Sequence, residues 1–231
     1  VVKSLEAFTN RYPSVPAQKI AGVFAYPAQS LDDAGERVGL EDALGRSVVA
    51  FTYNNAWRPE TDGAGHSLVP APDVAQADGE LDYPGNWRSS VYIGGSPGQA
   101  EPARPAATVV LNEILAHTDD PSAPDDSHDA IELYNTAGLP VSFGAGWYLS
   151  DDADNLAKWE IPATNTVAAG GWVYFDEVHD FHTSPTNGFG LNKGGDEVFL
   201  SYLPAAGAGR VVDAVRFEGE ENGVPLIRYP D

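Results

Sequence analysis

The apolar residues of this chain come in short runs, and their spacing restricts the fold more than any other property. The runs are rich in β-branched and aromatic residues and are closed off by Gly, Asn, Asp or Pro. That is the pattern of strands between turns. The candidate strands are Arg37–Leu40, Val48–Tyr53, Thr108–Ile114, Ala130–Tyr134, Trp147–Leu149, Trp172–Phe175, Glu197–Tyr202 and Val211–Phe217. Alternation is clearest in Val211–Phe217, as expected for a strand with one buried face. Only Leu5–Arg11 is expected to wind into a helix, of one or two turns. With 24 Gly and 18 Pro, the chain has the turn residues that an all-β sandwich or barrel needs.

Part of this pattern occurs twice. Leu31–Leu40 (LDDAGERVGL) matches Leu191–Leu200 (LNKGGDEVFL) at the Leu, the Gly, the acid, the Val and the closing Leu. Gly45-Arg46 then matches Gly209-Arg210, and Val48–Tyr53 matches Val212–Phe217. Ser67–Asp73 matches Pro225–Asp231. In each copy the Gly before the acid is expected at positive φ in a tight turn. Two strands joined by a Gly-containing turn come next, which is a β-hairpin. Matching blocks in the same order predict a tandem repeat. Between the copies, the Pro/Ala stretch 99–107 reads as a semi-extended linker. The expected domains are therefore 1–98 and 108–231.

Charge limits the partners. The formal net charge is −21, from 13 basic and 34 acidic residues. Such a surface repels phosphate backbones and anionic bilayers, so no nucleic acid is expected as partner. No run approaches the roughly 18 apolar residues of a membrane span, so no membrane insertion is expected. The absence of Cys removes disulfides, thiolate catalysis and Cys-based zinc sites. The chain opens on Val1-Val2-Lys3 and contains no Met, so it is expected to be a piece of something longer.

Several blocks of the second half, in order, resemble a lamin-tail domain of the bacterial secreted type. They are Val110-Leu111-Asn112-Glu113-Ile114, Ala130-Ile131-Glu132-Leu133-Tyr134-Asn135 and Gly146-Trp147-Tyr148-Leu149-Ser150-Asp151-Asp152. Trp159–Pro162, Ala169–Phe175, Gly190–Leu200 and Val212–Val215 continue the series. The resemblance runs from Thr108 to about Asp231. The first half resembles the back of another such domain, with Val1–Phe8 in the place of Trp172–Phe175 and the residues just after that strand. The resemblance implies an immunoglobulin-like β-sandwich. It also implies a noncatalytic module of a larger exported bacterial protein, extracellular or at the cell surface. Adhesion, surface assembly or substrate targeting would be its role. Partners would be other domains of the same polypeptide or extracellular polymers, with self-association through open sheet edges as a further possibility.

Three sets of residues could carry chemistry. Asp119, Asp120, Asp125, Asp126 and Asp129 form an acidic loop, and by the fold analogy Asp151, Asp152 and Asp154 lie on a loop nearby. Carboxylate oxygens on irregular loops suit Ca²⁺, though the spacing is not that of an EF-hand and a solvated acidic loop is the plainer reading. His179 and His182 stand among acids in Asp176–His182, in a segment read as a polar loop. With a carboxylate they could hold a transition metal. His117 and His128 flank the acidic loop and could join either site. Trp57 and Trp87 lie in turn-rich segments and are the candidates for a surface platform for sugars or peptides, with packing against the sheet end as the plainer alternative, while Trp147 and Trp172 are expected in the core. Gly94-Gly95-Ser96-Pro97-Gly98 satisfies G-x-S-x-G, but a Pro/Ala stretch comes next, where a nucleophile elbow needs a helix. The alternatives to a noncatalytic module are therefore a carbohydrate-binding module and a metal-dependent hydrolase using the acidic loop and the His pair.

Overall fold

The short apolar runs do become strands, each a residue or so from its expected bounds. The computed structural model describes residues 1–24, 30–72, 79–119, 122, 128–183 and 187–229. The chain divides into two compact units, 1–58 with 66–104, and 59–65 with 105–231. The main division falls within the Pro/Ala stretch. That stretch is partly fixed to the first unit, because Glu101 accepts the Val91 N–H at 2.6 Å and the Ser96 hydroxyl.

In the first unit, helix α1 is Leu5–Arg11. Ser4 caps it by accepting the Ala7 N–H at 3.2 Å. Glu6 in the first turn and Arg11 in the last complement its dipole. Ahead of the helix, Val2 forms only a single parallel bridge with Val23, so Val1–Phe8 is not the strand that its proposed counterpart Trp172–Phe175 is. Strands β1 (Arg37–Glu41) and β2 (Ser47–Thr52) form a hairpin. Strands β3 (Leu68–Pro70) and β4 (Trp87–Ser89) form a second, shorter ladder.

The second unit contains β5 (Val109–Leu115), β6 (Ala130–Asn135), β7 (Val141–Ser142), β8 (Trp147–Ser150) and β9 (Trp159–Glu160). It continues with β10 (Thr166–Val167), β11 (Trp172–Asp176), β12 (Gly195–Tyr202), β13 (Arg210–Glu218) and β14 (Leu226–Ile227). One sheet runs β11-β6-β5-β14 and the other β13-β12-β8-β9, all antiparallel. Leu111, Ile131, Leu133 and Phe175 of the first sheet meet Leu149, Val198, Leu200 and Val212 of the second in one core. Each such side chain contributes about 1.5–3 kcal/mol on burial. This is the expected β-sandwich. Its central strand β12 is covered on both faces, so Val198, Phe199, Leu200 and Ser201 are all buried and the strand shows no alternation.

β5 explains why its own alternation breaks. The register shifts between Leu111 and Glu113, so Asn112 is an extra residue in a β-bulge. Asn112 is buried, and its amide donates to Glu132 at 2.9 Å. Beside the bulge the Leu111 N–H donates across the sandwich to Asp213 of β13, at 2.9 Å.

The two repeated hairpins share their local geometry. Gly35 and Gly195 have φ of 122° and 123°. A side chain at either would strike backbone, Tyr53 O at 2.3 Å or Phe217 O at 3.0 Å, so only Gly fits. Asp32 accepts the Ala34 N–H and its own N–H donates to Glu36; Asn192 and Asp196 make the same two bonds. The register shifts after Leu40 in β1 and after Leu200 in β12, which are matched positions of the repeat.

Candidate functional site

Of the acidic residues expected to gather around a cation, Asp119, Asp129, Asp151 and Asp152 are tied to separate partners. Asp119 pairs with Lys193 and lies 3.2 Å from His117. Lys193 holds the Asp119 carboxyl below its ordinary range, with His117 adding to the effect. Asp120, Asp125 and Asp126 lie outside the described residues. Asp129 accepts the Leu191 N–H. Burial pushes its carboxyl up to about 6, against that hydrogen bond, with Glu177, Glu220 and Asp196 adding like charge.

On the other loop, Asp151 and Asp152 both face Lys158, at 2.6 and 3.6 Å. Burial works against that ammonium, but the two carboxylates raise its pKa above the ordinary value. Asp152 also accepts the Asp154 N–H at 2.9 Å in a turn, and Asp154 is exposed. Among the described residues no hydrogen bond or ion pair joins this loop to Asp119 or Asp129. Nor does any group of three His, Asp or Glu side chains among them converge on a metal position.

His179 and His182 lie at the end of β11, where the expected loop is in fact a π-helical turn, Glu177–Phe181. Two local features wind it. Asp176 accepts the His179 N–H at 2.7 Å, and Phe181 is fully buried against Phe189, 4.7 Å between ring centres. The two imidazoles do not share a carboxylate. His179 Nδ1 is 2.9 Å from Asp176, and His182 Nδ1 is 2.7 Å from Glu177. Burial opposes it, but the His179 N–H and imidazole hold Asp176 below the usual range. His117 Nδ1 bonds the Glu220 carbonyl at 2.9 Å, so it serves the second unit's own loops.

The tryptophan assignments are partly reversed. Trp87, a candidate for the surface platform, is buried, as the packing alternative has it. It packs on Phe51 at 4.7 Å and donates its indole N–H to Leu81 O at 2.7 Å. Trp57 is half-buried against it, 6.3 Å between ring centres. Trp172, expected in the core, is exposed. It stands opposite Tyr134 in the ladder and stacks on it, 5.4 Å apart at 30°. Tyr174, two residues along the same strand, is exposed on the same face. Trp147 packs against the core as expected.

The first unit also holds an open groove of about 630 Å³ lined by Phe8, Tyr12, Pro70, Ser96 and Glu101. Ser96 donates its hydroxyl proton to Glu101, in turn structure with no helix after it, so it lacks the setting of a nucleophile elbow. His66 is buried with Nδ1 2.8 Å from Ser90 O.

Sequence reasoning missed one buried polar element. Asp213 accepts from Leu111 N–H and from Arg228 at 2.6 Å, while Arg228 Nε donates to Leu111 O at 2.9 Å. Burial raises the Asp213 carboxyl, with Arg228 working against the rise. The signal was available as an acid inside the apolar run Val211–Val215. Its use is scaffolding, a tie between the two sheets.

A family model described as Lamin Tail Domain matches residues 102–219. Comparison with curated proteins and with solved structures gave no match.

Proposed function

We propose, for a chain that belongs to the lamin tail domain family, a noncatalytic binding or structural role within a larger exported bacterial protein. The family is immunoglobulin-like, and the role reading rests on one observation. Among the described residues, carboxylates and imidazoles that could have served a catalytic centre are paired within the scaffold, in Asp119–Lys193, Asp151–Lys158, His179–Asp176 and His182–Glu177. Adhesion, surface assembly or targeting of a linked enzyme fits a module of this kind. The likeness of the two hairpins supports reading the first unit as the back of a second, similar copy. Tandem copies would add reach, and avidity where each binds.

Two measurements test the role. Surface labelling of intact source cells should mark the protein, and a purely internal location would overturn the export reading. The purified chain should turn over no model phosphodiester, phosphomonoester or glycoside with Ca²⁺, Mn²⁺ or Zn²⁺ supplied. Turnover that disappears in His179→Ala with His182→Ala would establish the hydrolase instead.

A carbohydrate-binding reading is favoured by the exposed Trp172 and Tyr174 beside the half-buried Tyr134, because aromatic faces are the platform on which sugars stack. It predicts binding on a glycan array that Trp172→Ala abolishes and Trp57→Ala does not. Silence of the unmodified chain on a broad array would remove this reading.

A further inference from the structure

The β1–β2 hairpin matches β12–β13 in turn and bulge, yet it is bare where its counterpart is covered. Leu31, Leu40 and Val48 are 59%, 52% and 57% exposed, while their counterparts Leu191, Leu200 and Val212 are 9%, 0% and 6% exposed. The residue types are the same, so the first hairpin carries core side chains on its surface. Leu191, Leu200 and Val212 pack in the sandwich core, and the edges of the two hairpins differ as well. β12 has β13 along one edge and β8 along the other, with Phe199, Leu200 and Ser201 opposite Ser150, Leu149 and Tyr148. β1 has β2 along one edge and, among the described residues, no strand along the other. A free edge flanked by large apolar side chains is a template for strand addition.

We propose that the edge of β1 at Gly39–Glu41 receives an antiparallel strand of the β8 type, supplied from outside this chain. Its pattern is that of Gly146-Trp147-Tyr148-Leu149-Ser150, and its Leu lies opposite Leu40 as Leu149 lies opposite Leu200. The second unit is the template: it shows the same hairpin with this strand in place. A second copy of the chain has no such strand to give, because its β8 is already held by β12 and by β9. The occupant is therefore a β8-like segment of a further module. This inference rests on the two hairpins and stands whatever the functional role.

The test uses the full chain and a synthetic peptide of residues 145–152, capped at both ends and carrying a fluorophore. Anisotropy should show saturable binding with Kd on the order of 100 µM, as for short strand-addition ligands. Amide exchange at residues 39–41 should slow by about tenfold at saturation. Leu40→Asp in the chain and Leu149→Asp in the peptide should each remove both effects. Because Leu40 is exposed, the chain variant should melt as the parent does, which separates lost binding from lost folding. Absence of binding at about 1 mM peptide would overturn the proposal. So would slowed exchange at residues 199–202 instead, which would mean that the peptide only replaces the chain's own β8. Protection of residues 39–41 by concentration-dependent dimerisation without peptide would make a second copy the occupant, and would also overturn it.

Discussion

Asp129 couples one side chain to pH. Its carboxyl titrates near 6 in the folded chain against 3.8 for an unperturbed Asp. Between those values the folded form binds more protons than the unfolded form, so this group's contribution to stability falls as pH rises from about 4 to about 6. Asp176 and Asp119 have lowered values. Their contribution is present above the unfolded value and is lost as pH falls through the folded one, so the two effects oppose each other in adjoining windows. Asp129→Asn keeps an acceptor for the Leu191 N–H and carries no charge. Its melting midpoint should exceed the parent's by a few degrees at pH 7 and by little at pH 4. Parallel midpoint curves for the two proteins would show that Asp129 does not bind the proton. Legibility at this scale depended on whether a residue's reason is local. Gly35 and Gly195 were readable because a tight turn before an acid needs positive φ wherever it occurs. Trp87 and Trp172 were not, because which side of a strand faces the core is decided by the neighbouring elements. The acidic loop was readable as acidic, whereas the lysine that pairs with Asp119, Lys193, comes from a distant position.

At the level of elements, the hairpins and the long strands β5, β6, β12 and β13 were legible in their β-branched runs and turn residues. The two-residue strands β7, β9, β10 and β14 are too short to show a period and exist only because a longer neighbour offers an edge. The turn Glu177–Phe181 depends on the burial of Phe181 against Phe189, which no local pattern announces. The bulge at Asn112 likewise hides in an apolar run, and it sits beside the tie that joins the sheets. Asp213 is mostly buried and satisfies both the Leu111 N–H and Arg228. Asp213→Ala should therefore cost about 2–3 kcal/mol, since it leaves a backbone donor and a guanidinium unmatched. Asp213→Asn retains an acceptor and should cost about half as much. Denaturant titration of the two variants checks the order; equal losses would mean that the Arg228 charge pairing dominates the tie.

Across the whole molecule, the net charge of −21 sets how the chain meets ions and partners. Like charges repel more strongly in the folded state, where they are closer together, so added salt should raise the melting midpoint until screening is complete near physiological ionic strength. Divalent cations would raise it further at equal concentration through screening alone, which makes a simple calcium effect uninformative. A dedicated calcium site differs in kind, because it stabilises by mass action and distinguishes calcium from magnesium. Asp119, Asp129, Asp151 and Asp152 already have protein partners on separate loops, so the expected result is one midpoint for calcium, magnesium and EDTA-treated samples at matched ionic strength. A calcium-only rise of several degrees, lost in Asp119→Asn or Asp129→Asn, would mean that the loop residues exchange those partners for the cation. The same measurement at high salt separates the two effects, since screening saturates whereas a bound ion continues to stabilise as its concentration increases.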